Sequence, residues 1–332
     1  MRKIVPVLFG VAVLAVAASA ATTGYHLLGE IKVGGDGGWD YLTVDSTARR
    51  LYVSHATHVA VIDIDAGKVV GDIPDTPGVH GIAIAPELNR GFVSNGRSNT
   101  VTIFDLKTLK SVGQTPTGEN PDSIRYDAVS GRVFTFNGRS KNSTAIDAKS
   151  GAVAATIALP GKPEFSIADG KGKVYVNIED TNEIVEIDAA KATVTKKYSL
   201  SPCQEPSGLA FDAKSRRLFS VCSNRLMAIS DPDAGKVVAT PAIGAGSDGA
   251  AFDAGTGYAF SSNGDGTLTV VQQTAGKWEV LENIATERGA RTIAVDDKSH
   301  RVFLPTAKTA PAAAGARPTY LPDTFKVLIV GK

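Results

Sequence analysis

One period governs this chain. An apolar strand ending in a polar residue recurs as "VAVID" to Asp63, "VTIFD" to Asp105, "STAID" to Asp147, "IVEID" to Asp188, "LMAIS" to Ser230 and "LTVVQ" to Gln272, at steps of 42, 42, 41, 42 and 42. A seventh copy, "KVLIV", ends at Val330, and the segment from Ala307 to Thr324 takes up its extra length. Fixed-period self-similarity marks modules that cannot bury an apolar face alone and must stack on their neighbours.

Each unit reads as four short strands. In the second unit they are "GIAIA", "RGFVSN", "TVTIFD" and "LKSVGQ", here called a to d and separated by turn-rich letters such as "PELN" and "NGRSN". Four strands per unit, repeated along the chain, are the pattern of propeller blades, whose ring leaves only short edges. The seventh unit stops after strand c, while "YHLLGEIKVGG" near the N-terminus has no strand before it. Leu27 to Val33 is therefore expected to supply the missing strand d. The expected fold is all-β: a seven-bladed β-propeller of four-stranded blades, closed by an N-terminal strand in the last blade and occupying residues 21–332 as one domain.

The letters "RRLYVSHATHVAVIDIDAGKVVGDI" (Arg49–Ile73) and "RGFVSNGRSNTVTIFDLKTLKSV" (Arg90–Val112) resemble the YVTN-type repeat of bacterial YncE-like propellers. The resemblance covers nearly all of residues 21–332 and implies the seven-bladed fold. It does not select an activity, because that superfamily includes binding proteins, quinoprotein subunits, a haem-binding reductase domain and lactonases, and fold does not fix function.

Residues 1–20 read as a signal peptide. Met1-Arg2-Lys3 is a positive start, Ile4 to Ala17 is apolar, and Ala18-Ser19-Ala20 is a small-x-small cleavage pattern. The remainder is expected to be exported, periplasmic or extracellular, and monomeric, with no membrane span. Without Arg2 and Lys3 the 35 basic residues fall to 33 against 34 acidic ones, a formal charge of −1. That is no footprint for nucleic acid.

The units differ most where strand a begins. One residue per blade falls in register there: Asp40, His80, Asp122, Glu164, Ser207, Asp248 and Arg291. These side chains are expected to ring one mouth of the central channel. A second register, at the end of strand b, holds His55, Asn95, Asn137, Ile178, Cys222, Asn263 and Thr306, expected around the first ring. Each has a plainer reading: strand-start Asp residues can cap loop N–H groups, Asn-Gly pairs favour tight turns, and His55 could sit in an exposed loop. Four carboxylates aimed at one channel nevertheless want a cation, shared protons or Arg291 as partner. Asp40, His80, Asp122 and Glu164 would suit Ca²⁺, Mg²⁺ or Mn²⁺; adding His55 would favour Zn²⁺ or Cu²⁺. A divalent ion is the one cofactor the residues admit. The Asp residues that close strands a and c read as turn chemistry.

No G-x-S-x-G elbow, phosphate-cradling glycine loop, C-x-x-C-H haem site or tandem tryptophan motif occurs. Two readings follow. The favoured one is a binding or scaffold protein that holds a small ligand, metal, peptide or protein partner at the polar channel face. The alternative is a metal-dependent hydrolase or lactonase at the same mouth.

Pairing of strands a and b in blade five is expected to set Ser207 opposite Cys222. Two cysteines in one blade of an exported chain imply a Cys203–Cys222 disulfide. Mass spectrometry of the mature protein, alkylated without reductant, should find no free thiol. Two alkylated cysteines would refute the pairing.

Overall fold

The computed structural model describes residues 22–311 and 319–332. Seven four-stranded antiparallel sheets form a β-propeller, with one three-residue 3₁₀ turn at Pro86–Leu88. Blade two shows the pattern: strand a is Val79–Ala85, b is Arg90–Asn95, c is Thr100–Asp105 and d is Ser111–Pro116. Strands b and c are apolar on both faces because each face meets another blade, so Phe92, Val93, Val101 and Phe104 are all fully buried. Strand d faces solvent, and Val112 is exposed. Seven apolar clusters fill the seven joints between blades. Tyr52, Val61 and Ile73 of blade one, for example, pack on Val79, Val93 and Phe104 of blade two.

The ring closes through the chain's two ends. His26–Lys32 pairs antiparallel with Lys326–Gly331 and completes the sheet of blade seven. Tyr25, in front of that strand, is buried, and its hydroxyl donates to the His300 carbonyl at 2.8 Å. Ile31 enters the joint between blades seven and one. The leader assigned to residues 1–20 lies outside the described residues, as does the middle of the 307–324 insertion. Among the described residues no helix is long and apolar enough to cross a membrane.

A circuit of hydrogen bonds links the inner ends of all seven blades. Tyr41 N–H donates to the His80 carbonyl at 3.0 Å, and Ser94 Oγ to the Asp122 carbonyl at 3.0 Å. Ser123 and Ser166 join blades three and four, Oγ to Oγ at 2.7 Å. Asn177 Nδ2 donates to the Ser207 carbonyl at 2.9 Å, and Ser207 Oγ to the Ser247 carbonyl at 3.4 Å. Ser262 Oγ donates to the Arg291 carbonyl at 2.5 Å, and Thr292 Oγ1 closes the circuit on the Asp40 carbonyl at 2.8 Å.

Strand a opens on a β-bulge in blades two to six. Val79 pairs with Asn95 but Ile82 with Val93; the same single extra residue follows Pro121, Pro163, Pro206 and Ser247. Two residues then oppose one, and such a bulge re-aims a side chain. His80, Asp122, Glu164, Ser207 and Asp248 are each the first residue inside a bulge. The bulge also corrects one expectation: Pro206, not Ser207, pairs with Cys222. Cys203 lies in the loop before it and is bonded to Cys222, Cα to Cα 5.5 Å.

The residues that close strands a and c act as turn anchors on the far side of the blades. Asp45 Oδ1 accepts from the N–H groups of Thr47 and Ala48, and Asp105 Oδ1 from those of Lys107 and Thr108.

If Ile31 docks the closing strand, Ile31→Ala should cost about 2–5 kcal/mol of unfolding free energy, the range for emptying a buried aliphatic site. Leu27→Ala, at a position 44% exposed in the same strand, should stay within about 0.5 kcal/mol. Urea unfolding of both variants checks the contrast. Equal effects would mean that the strand is not seated as described.

Candidate functional site

The bulges bring the ring residues to one mouth of the channel. His80 sits at its centre, with Nδ1 2.6 Å from Asp40 Oδ2 and 3.4 Å from Asp122 Oδ1. Across the mouth, Arg291 Nε donates to Asp248 Oδ2 at 2.8 Å, and its guanidinium lies 5.9 Å from the centre of a Trp39 ring. Glu164 is held by Lys162, whose Nζ is 2.7 Å away and also meets Glu179. The ligand atoms of Asp40, His80 and Asp122 lie within 4.8 Å of one another. Glu164, expected as a fourth ligand, is outside that group because Lys162 takes it up.

Above the ring is a cleft of about 720 Å³. Asp40, His80 and Arg291 line its floor; Arg97, Asn99, Asn120 and Arg139 line its wall. Arg97 and Arg139 come from the same place in two successive "NGRS" turns, and both are exposed. Gly96 is required beside them. A Cβ there would come within 2.5 Å of His80 Nε2 and 2.9 Å of Asn120 Oδ1, so only glycine lets the imidazole lie against this turn. Below the ring, Tyr41 of blade one and Phe165 of blade four meet edge to face across the axis, centroids 4.7 Å apart.

The charges at this mouth govern one another's protonation. Burial works against an imidazolium at His80, but Asp40, Asp122 and Glu164 outweigh it and hold the ring up at about 9. Burial pushes the Asp122 carboxyl up to about 7; Asp40 and Asp248 push the same way while His80 opposes. Glu164 rises through burial and the nearby Asp122. Asp248 rises through burial and Asp40, with Arg291 pulling against both. The phenol of Tyr41 goes well above its usual range through burial and the carboxylates of Asp122 and Asp40. Near neutral pH, Asp122 and Glu164 thus tend to keep protons, and the His80 imidazole is charged.

The second register does not line the cleft. Asn95, Asn137 and Asn263 are fully buried and their Nδ2 groups are spent within their own blades: each donates to two residues of strand c, Asn95 to Thr100 and Thr102, Asn137 to Asn142 and Thr144, Asn263 to Thr267 and Thr269. They are neither ligand groups nor ordinary turn residues but braces across the b–c hairpin. His55 is 1% exposed and stacks on Phe325, centroids 4.3 Å apart. Burial, then the neighbouring His58, holds it down at about 4, so it is neutral. The base of the insertion does reach the mouth. Thr309 and Tyr320 form a bridge, and Tyr320 packs on Trp39 at 4.7 Å.

The sequence register missed Lys162, which lies outside strand a. Its only signal was its place two residues before Glu164.

Among solved structures the chain is similar to a Kuenenia stuttgartiensis hydrazine synthase chain, with a TM-score of 0.68 and 14% identity, over 87% of this chain and 95% of that one. At that identity the likeness is one of fold. No family model matches the chain, and no curated protein matches it.

The protonation pattern sets a pH dependence. His80 has a folded value near 9 against an ordinary 6.5, so the stability from its imidazolium is full below about 6.5 and lost as pH rises through about 9. Asp122 has a folded value near 7 against an ordinary 3.8, so its ionisation also costs stability as pH rises through neutrality. Both slopes point the same way. The Tm should fall between about pH 6 and 9, and Asp122→Asn should flatten that fall by removing one acid and one partner of His80. A Tm that rises over this window would contradict the arrangement.

Proposed function

We propose that the protein is a binding propeller whose working surface is this channel mouth, and that its ligand is a small zwitterion such as an amino acid or short peptide. The cluster of Asp40, His80, Asp122, Glu164, Asp248 and Arg291 at one channel mouth, beneath a cleft that Asp40, His80 and Arg291 line, carries the reading. A ligand ammonium seats beside the carboxylates, where it replaces the protons that now offset their mutual repulsion. A ligand carboxylate meets Arg97 and Arg139 on the wall, which form no ion pair among the described residues. Guanidinium forks suit that planar partner.

A divalent cation at Asp40, His80 and Asp122 is the second reading, supported by their three ligand atoms within 4.8 Å. The ion would take the place of the His80 Nδ1 proton, because metal ligands must be deprotonated. The hydrolase alternative needs this ion to polarise a carbonyl or activate water. We read the chain as exported on the pattern of residues 1–20 and on its disulfide, and as YVTN-type on its repeat letters.

Calorimetric titration with glycylglycine, and separately with Ca²⁺, Mn²⁺ and Zn²⁺, tests these readings on the mature chain. Zwitterion binding at pH 7 should release protons, strengthen as pH rises through about 7, and survive chelator. Asp122→Asn with Asp248→Asn should abolish it and leave the fold intact. A stoichiometric ion retained on dialysis would favour the second reading. Neither ligand binding would leave the mouth a structural cluster.

A further inference from the structure

Beyond the Tyr41–Phe165 contact the channel holds a second cavity, of about 260 Å³. The side chains that line it are apolar except for Thr43, the phenol of Tyr41 and one charged group, Arg125, while backbone groups add polar surface. Phe165, Phe211 and Phe252 supply its aromatic wall.

Arg125 lies three residues past Asp122, and the repeat shows what a blade needs at that place. The other six blades have Thr43, Ala83, Ile167, Ala210, Ala251 and Ala294 there. No blade needs a charge for its own packing. Arg125 does brace the next blade: Nε and Nη2 both donate to the Ser166 carbonyl, at 3.1 and 2.8 Å. In blade one the corresponding bond, to the Ile82 carbonyl at 2.7 Å, needs only the hydroxyl of Thr43. A guanidinium is more than the brace requires.

The rest of that guanidinium has no partner. Among the described residues no carboxylate pairs with Arg125, none lines the cavity, and Nη1 makes no hydrogen bond. The face of Phe165, 5.4 Å away, is its nearest compensation. Arg125 is half-buried, so its cation is partly shielded from water with no counter-charge beside it, and burial draws its pKa down to about 10. The remaining N–H groups form a donor set that fits a carboxylate, while the three phenylalanines fit a flat apolar body.

We infer that this cavity is a binding site, distinct from the mouth, for a small organic carboxylate with an aromatic or branched apolar body. Arg125 takes the carboxylate through Nη1, and the phenylalanine wall takes the body. The mouth presents mixed charge to a zwitterion; this cavity presents one cation to one anion.

Benzoate and its neutral isostere benzamide are the probes, titrated into the full mature chain by calorimetry and by saturation-transfer NMR. Benzoate should bind saturably, and benzamide at least about tenfold more weakly, the ratio one charge-assisted hydrogen bond supplies. Arg125→Met should erase that preference. Arg90→Met, which removes an arginine that braces the Ala148 carbonyl of the next blade but does not line the cavity, should keep it. Equal binding of the two probes, no saturable benzoate binding, or a preference that survives Arg125→Met would overturn the inference. If Arg125→Met does not fold, the comparison of benzoate with benzamide on the unaltered protein decides alone.

Discussion

The mouth depends on the hydrogen bonds that join the blades at their inner ends. In five of the seven joints the acceptor is the backbone carbonyl of a ring residue: Asp40, His80, Asp122, Ser207 or Arg291. The backbone of these positions is therefore spent on holding the ring, and their side chains are left free except at Ser207, whose hydroxyl is itself a link to the Ser247 carbonyl. That division explains how one register can hold carboxylates, an imidazole, a hydroxyl and a guanidinium without disturbing the blades. Each joint contributes only about 0.5–1.5 kcal/mol net, but leaving one of these inner groups unpaired costs about 1–3 kcal/mol. The circuit is thus strict about partners while adding modestly to stability.

The fold was legible because its information is periodic. Steps near 42 residues, two inner strands apolar on both faces and an unpaired N-terminal strand together leave one closed solution. The ring was legible for the same reason, since Asp40 to Arg291 differ only where the repeat otherwise agrees. What escaped was local geometry. His55, Asn95, Asn137 and Asn263 end their strands as polar residues, and a polar strand end reads alike whether it faces a cleft or is buried beneath the surface. The bulges at strand a move the pairing by one residue, which a period of two cannot register, and so Ser207 was set opposite Cys222 where Pro206 stands. Lys162 acts across a loop and leaves no periodic trace.

The two cavities on the axis obey opposite electrostatic rules. At the mouth, acids crowd one another, and Asp122 and Glu164 keep protons that an isolated carboxyl would lose near neutral pH, while His80 carries charge beside Asp40 and Asp122. Below, Arg125 stands alone among aromatic rings and sheds none of its charge at physiological pH. Tyr41 and Phe165 lie between, so each set of charges works in its own surroundings. Tyr41 joins the two levels: its amide holds the His80 carbonyl while its ring roofs the lower cavity.

The strand that completes blade seven comes from the opposite end of the polypeptide. His26–Lys32 and its partner Lys326–Gly331 are separated in sequence by all the other strands, so neither is paired in blade seven until both have met. Until then the apolar faces of blades seven and one stay uncovered and the circuit at the axis stays open. Assembly of the mouth is therefore a terminal event: no partial chain displays the acidic ring with its final spacing, and the charges that repel there are brought together only once every blade is present to hold them.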